Sequence, residues 1–198
     1  MYIIYDTETT SFPNPNYSAK HPAQSRVIQL AALVLDKDFV ETDSLYSFVK
    51  PTGWKISEGA FKAHGIAIQK CEELGRPIED IIIEFEELRS GCEYEIGHNL
   101  EFDSQMVHIE KQRMDIKSFC HSQICTMDLM TNICQLPHKG HRNRFGNKFK
   151  WPKLAEAYEY CFHESLQGAH DSMNDVRATA RIFKWLVDNG HLELNTVV

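Results

Sequence analysis

MYIIYDTETT, residues 1–10, is the stretch on which the fold turns. Tyr2, Ile3, Ile4 and Tyr5 make an apolar run that reads as a buried β-strand, predicted over residues 1–6, and it passes straight into Asp6 and Glu8 without a turn signal. Side chains i and i+2 of a strand share a face, so Asp6 and Glu8 point the same way at its carboxyl end, as Tyr2 and Ile4 do before them. Two like charges at that spacing repel and raise each other's pKa. At neutral pH such a pair needs a cation, a shared proton or full solvation.

Working outward, VIQLAALVLD (27–36) and DSLYSFVK (43–50) read as two further strands in hairpin succession. Ser57 caps a short predicted helix, SEGAFKAHG, ended by Gly65, and PIEDIIIEFEELRSG (77–91) is a longer one whose Ile78, Ile81, Ile82, Phe85 and Leu88 form an apolar face. EYEIGH (93–98) predicts a fourth strand leading into a helix over 100–117, and QICTM (123–127) a fifth before a helix near 128–134. Helices over 153–162 and 173–190 follow. Strands first in succession and then alternating with helices imply an α/β domain, a mixed five-stranded sheet flanked by helices, in a single unit over residues 1–198.

The chain has 198 residues, 42% hydrophobic and 25% charged, with a formal net charge of −7. That balance excludes a protein coated in basic residues, so a nucleic-acid partner must be met by a local patch or by metal ions that neutralise clustered acids. Six cysteines lie scattered without a CxxC pair, and no signal peptide or apolar run of membrane-spanning length is present, which predicts free thiols, a cytoplasmic location and no membrane partner. Cys120, His121 and Cys125 lack the second close-spaced pair that a structural zinc site uses.

Two long segments carry no regular pattern, 10–25 and LPHKGHRNRFGNKFKW (136–151). The second holds Lys139, Arg142, Arg144, Lys148 and Lys150 interleaved with Phe145, Phe149 and Trp151. It is either a solvated surface loop or a grip for a single strand, since cations and aromatic faces are what single strands bind.

Further acids join the first pair. GHNLEFD (97–103) puts Asp103 in the first turn of a helix with Asn99 as its candidate N-cap, and Asp175 in AHDSMND (169–175) falls on a helical stripe with Ala178, Ile182 and Leu186. His170, five residues before Asp175, belongs to the preceding loop or first turn. Four carboxylates make an oxygen-only donor set, which hard divalent cations such as Mg²⁺ or Mn²⁺ prefer.

The blocks DTET (6–9), HNLEFD (98–103) and HDSMND (170–175), in this order, resemble the DnaQ-like 3′-to-5′ exonucleases of the DEDDh type, which share a ribonuclease-H-like fold. The resemblance implies Asp6, Glu8, Asp103 and Asp175 as ligands of two divalent cations, Mg²⁺ or Mn²⁺, and His170 as general base. It also implies hydrolysis of phosphodiester bonds from a 3′ end, releasing nucleoside 5′-monophosphates, with single-stranded DNA preferred over RNA as partner. AHGI (63–66) is similar to the family's HGI segment, making His64 and Ile66 candidate substrate contacts beside Thr7, Thr9, Asn99 and Phe102 of the acidic blocks. Lys139, Arg142 and Arg144 are the candidate contacts upstream. Ser11 stands where the family often has glycine, and the loop after it is longer than usual, which predicts a reshaped mouth. The alternatives are a 3′-to-5′ exoribonuclease and a non-catalytic nucleic-acid-binding or polymerase-docking module. A pure binder gains nothing from four mutually repelling carboxylates, and no feature indicates a polymerase partner.

Overall fold

The computed structural model describes residues 1–117, 121–138, 148–168 and 171–194. Five strands, β1 (Tyr2–Thr9), β2 (Val27–Leu35), β3 (Glu41–Phe48), β4 (Tyr94–Gly97) and β5 (Ser122–Cys125), form one mixed sheet in the order β3-β2-β1-β4-β5. The first three run antiparallel, and β4 and β5 run parallel to β1. The helices are α1 (Glu58–His64), α2 (Ile68–Leu74), α3 (Ile78–Ser90), α4 (Leu100–Arg113), α5 (Thr126–Cys134), α6 (Leu154–Phe162) and α7 (Ser172–Asp188). The α/β architecture matches the expectation.

Alternation along β1 sorts the core. Ile3 and Tyr5 pack with Ile81, Phe85 and Met106 of α3 and α4, whereas Tyr2 and Ile4 pack with Val176 and Phe183 of α7. β2 is buried at all nine positions because helices cover both faces, which is why its sequence is apolar at every position but Gln29.

Several boundaries differ from the sequence reading. β1 continues to Thr9, since β2 pairs with it that far, so Glu8 as well as Asp6 stands on the strand itself. β3 begins two residues earlier than expected, at Glu41. Thr126 and Met127 open α5 instead of closing β5, and α4 stops at Arg113. The short helix α2 had no sequence signal strong enough to mark it. Ser57 caps α1 as predicted, accepting a hydrogen bond from the Ala60 amide at 3.2 Å, and Gly65 ends it at φ 69°.

Two polar clusters brace the sheet. Glu110 of α4, 1% exposed, accepts from Arg26 Nε (2.9 Å) and the Val27 amide (3.0 Å), fixing the entry to β2. Under β4, buried Glu95 takes hydrogen bonds from the Tyr5 hydroxyl (3.2 Å) and Arg89, and Glu86 bridges Arg89 to Lys111, itself 1% exposed.

The long segment after β1 is a series of turns closed at a neck. Gln24 Oε1 accepts from the amides of Asn14 and Ser25, its Nε2 donates to the Asn14 and Tyr17 carbonyls, and Arg113 donates to the Gln24 and Ser25 carbonyls. Among the described residues, no helix is long and apolar enough to cross a membrane. Cys71, Cys92, Cys125, Cys134 and Cys161 are free thiols, and Cys120 lies outside the described residues.

Candidate active site

β1 carries Asp6 and Glu8 on the face covered by α7, and the first turn of α7 brings Asp175 to them. One carboxylate oxygen from each of the three lies within 4.8 Å of the others. Asp103 arrives from the opposite side, at the start of α4. β4 pairs with β1 only from Tyr2 to Ile4, so the Thr7 amide projects beyond the end of β4 and needs an acceptor. Asp103 Oδ1 supplies it, accepting from the Thr7 amide at 2.9 Å and the Thr7 hydroxyl at 2.7 Å. Thr7 is thereby a buried strut of the acid cluster.

The cluster is electrostatically strained. Burial first, and then the charges of Asp103, Glu8 and Asp175, push Asp6 well above the usual carboxylate range. Burial, with Asp175, Asp103 and Asp171 behind it, raises Glu8 to about 8. Burial lifts Asp103 to about 7 against the two Thr7 hydrogen bonds, which pull it down. Crowded, desolvated carboxylates are relieved by a cation, and an oxygen-only donor set fits a hard divalent ion. Among the described residues Asp6, Glu8 and Asp175 are the one group of acids, histidines and cysteines with metal-ligand spacing, and His121 instead faces Glu95 at 3.2 Å.

Beside the acids opens a cavity of about 330 Å³ whose lining includes Thr7, Glu8, Thr9, His64, Asn99 and Phe102. Six predicted residues therefore line one cavity. His64 Nδ1 accepts from the Ile66 amide at 2.9 Å, which orients the ring, while the Ile66 side chain packs in the core with Ile28, Phe48 and Cys71. Ile66 is thus a support of the cavity wall and not part of its lining. Asn99 occupies the cap position of α4 but in the left-handed conformation, φ 72°, with no capping bond from its side chain, which leaves its amide group at the cavity. His98 is spent structurally, bonded to Thr126 Oγ1 and the Pro152 carbonyl at 3.0 Å each.

The sequence reading missed Phe12. It is 84% exposed at the cavity mouth, its ring edge-on to Phe102 with centroids 5.7 Å apart. A large apolar side chain directly after DTETTS was the available signal. Asp171 was also missed: it caps α7, accepting from the Asn174 amide, and lies close enough to raise Glu8. His170, Lys139, Arg142 and Arg144 lie outside the described residues. Of the remaining cations in that segment, Lys150 is ion-paired with Glu156 at 2.5 Å and Lys148 lies over the Phe149 ring at 5.1 Å.

A model of the exonuclease family matches residues 3–183. The search of curated proteins finds no match. Among solved structures, E. coli exonuclease I in complex with a dT13 oligonucleotide is 22% identical, with a TM-score of 0.71 over 93% of this chain and 40% of that one. Its dA16 complex gives 0.72 at 21% identity, and the zinc-ion-bound form of its complex with single-stranded DNA gives 0.72 at 22%, each covering 94% of this chain and 40% of the other. The likeness is one of fold, a ribonuclease-H-like sheet with its helices, and this chain spans two fifths of the length of those exonuclease I chains.

Proposed function

Given that the chain belongs to the exonuclease family, we propose that it removes nucleoside 5′-monophosphates from the 3′ end of single-stranded nucleic acid, DNA in preference to RNA. The observation that carries this reading is the convergence of Asp6, Glu8 and Asp175 oxygens within 4.8 Å beside a cavity large enough for a terminal nucleotide. The oligonucleotide complexes of the similar fold favour DNA.

Asp6, Glu8, Asp103 and Asp175 would hold two divalent cations, Mg²⁺ or Mn²⁺. Such ions lower the pKa of a water and stabilise charge on the leaving oxygen. The carboxylates set where the scissile phosphate stops, and Thr7 keeps Asp103 from turning away. Phe12 and Phe102 offer ring faces and edges for the terminal base, and His64 and Asn99 bring polar atoms to the same cavity. His170 takes the proton from the attacking water, a task suited to imidazole near neutral pH. Residues 1–198 act as one catalytic domain in the cytoplasm.

The test is product analysis with 3′-labelled and 5′-labelled single-stranded DNA and RNA of matched sequence, in Mg²⁺ or Mn²⁺. Stepwise release of mononucleotides from the 3′ end of DNA is expected. Preferential RNA cleavage would move the substrate to the exoribonuclease alternative, and binding without cleavage would make the chain a docking or binding module.

A further inference from the structure

The first turn of α7 is tied to the far strand of the sheet by a short chain of hydrogen bonds. Gln29, on β2 and 1% exposed, stands opposite Glu8 in the β1–β2 register. Its Nε2 donates to the Tyr46 hydroxyl at 2.9 Å, and that hydroxyl donates to Asp171 Oδ2 at 2.9 Å. The other oxygen, Asp171 Oδ1, accepts from the Asn174 amide at 3.3 Å, and the Asp171 carbonyl accepts from the Asp175 amide at 3.0 Å. One residue thus links the edge strand β3, the helix cap and the backbone of the proposed metal ligand.

We infer that Tyr46 is a positioning residue: by holding Asp171 it sets the first turn of α7, and with it the Asp175 carboxylate, against Asp6 and Glu8 on β1. A helix packed on a sheet by apolar contacts retains freedom to slide and rotate slightly. Val176, Ala180 and Phe183 hold α7 to the sheet by such contacts. A hydrogen bond from a phenol to a charged carboxylate is directional and removes that freedom at the end that matters. The Arg177–Glu41 pair, 3.7 Å apart and exposed, is a looser tie between the same helix and strand. The inference rests on the metal-site reading above, and calorimetry separates it from the nuclease reading.

The experiment titrates Mn²⁺ calorimetrically into the full chain carrying Tyr46→Phe, Asp171→Ser or both, and measures kcat and KM on a dinucleotide. Phenylalanine keeps the ring of a side chain that is 42% exposed, and serine keeps a cap for α7, so both variants retain the fold. Each single variant should bind Mn²⁺ about tenfold more weakly, the usual penalty when a partner of a metal ligand is removed. The double variant should lose no more than either single one, because both changes break the same link. The kcat should fall with KM unchanged. Unaltered Mn²⁺ affinity in Tyr46→Phe, or losses that add in the double variant, would overturn the inference. If the unmodified chain binds Mn²⁺ but cuts nothing, the nuclease reading fails while the calorimetric comparison still decides the role of Tyr46.

Discussion

Asp6 and Glu8 hold protons at a pH where free carboxylic acids have lost theirs, and that sets the pH response of the fold. A carboxyl raised on folding favours the folded state while it stays protonated, fully below its unfolded pKa and no longer above its folded one. Glu8 moves from 4.5 to about 8, so the metal-free protein should lose stability as pH rises through that interval. A loss of several kcal/mol by pH 8 is expected, offset by Mg²⁺. Urea unfolding at pH 5 and pH 8, with chelator and with Mg²⁺, measures it; a metal-free protein more stable at pH 8 would contradict the reading. Asp6→Asn should abolish turnover while stabilising the metal-free fold at pH 8, and full activity in that variant would remove Asp6 from the metal site. Phe12→Ala should raise KM about tenfold with kcat nearly unchanged, the worth of one base–aromatic stack, and an unchanged KM would leave Phe12 without a role in binding. Asp6, Glu8, Asp103 and Asp175 were legible because carboxylates stand out at strand and helix boundaries. Ile66, expected beside His64 from the HGI segment, packs in the core while His64 lines the cavity, since Gly65 in the left-handed conformation turns the chain between them.

Among the elements, the sheet and the longer helices could be read from periodicity, and their ends could not. DTET reads as a strand terminus by composition, but pairing with β2 carries β1 through it, a tertiary effect that local propensity does not contain. The same pairing explains why Thr7 seeks Asp103: β4 is short, so β1 outruns it. α2 escaped notice because its seven residues bury Cys71 and little else. The cluster around Glu95 was equally invisible, since its members come from β1, α3, β4 and α4, and no spacing rule joins them. Its energetic weight can be tested apart from catalysis. Glu95→Ala deprives the buried Arg89 guanidinium of a carboxylate and should cost about 3 kcal/mol in chemical denaturation. A loss below about 0.5 kcal/mol would show that water satisfies Arg89 equally well.

Over the whole molecule the question is how a chain of net charge −7 holds a polyanion beyond its last nucleotide. The segment 136–151 supplies cations, but Lys150 is neutralised by Glu156 and Lys148 lies over the Phe149 ring, which leaves Lys139, Arg142 and Arg144 as the ones to test. Replacing all three with Ala should weaken binding of long strands and make the salt dependence shallower by about 0.7 in logarithmic slope for each phosphate no longer neutralised, while a dinucleotide is cut at nearly the unmodified rate. Equal losses on both substrates would put the segment at the reaction centre instead. The other long segment, between β1 and β2, has a different consequence. Gln24 clasps Asn14 and Tyr17 at its neck, Arg26 and Arg113 tie its base to Glu110, and Lys20 near its tip pairs with Asp115 just past α4. It is a side arm rather than a cover: Lys20 meets Asp115 past the last turn of α4, a helix length from Asp103 in the first, so that changes within residues 18–23 should alter hydrogen exchange in the arm and leave the protection of β1 and β2, and the acids they carry, as it was.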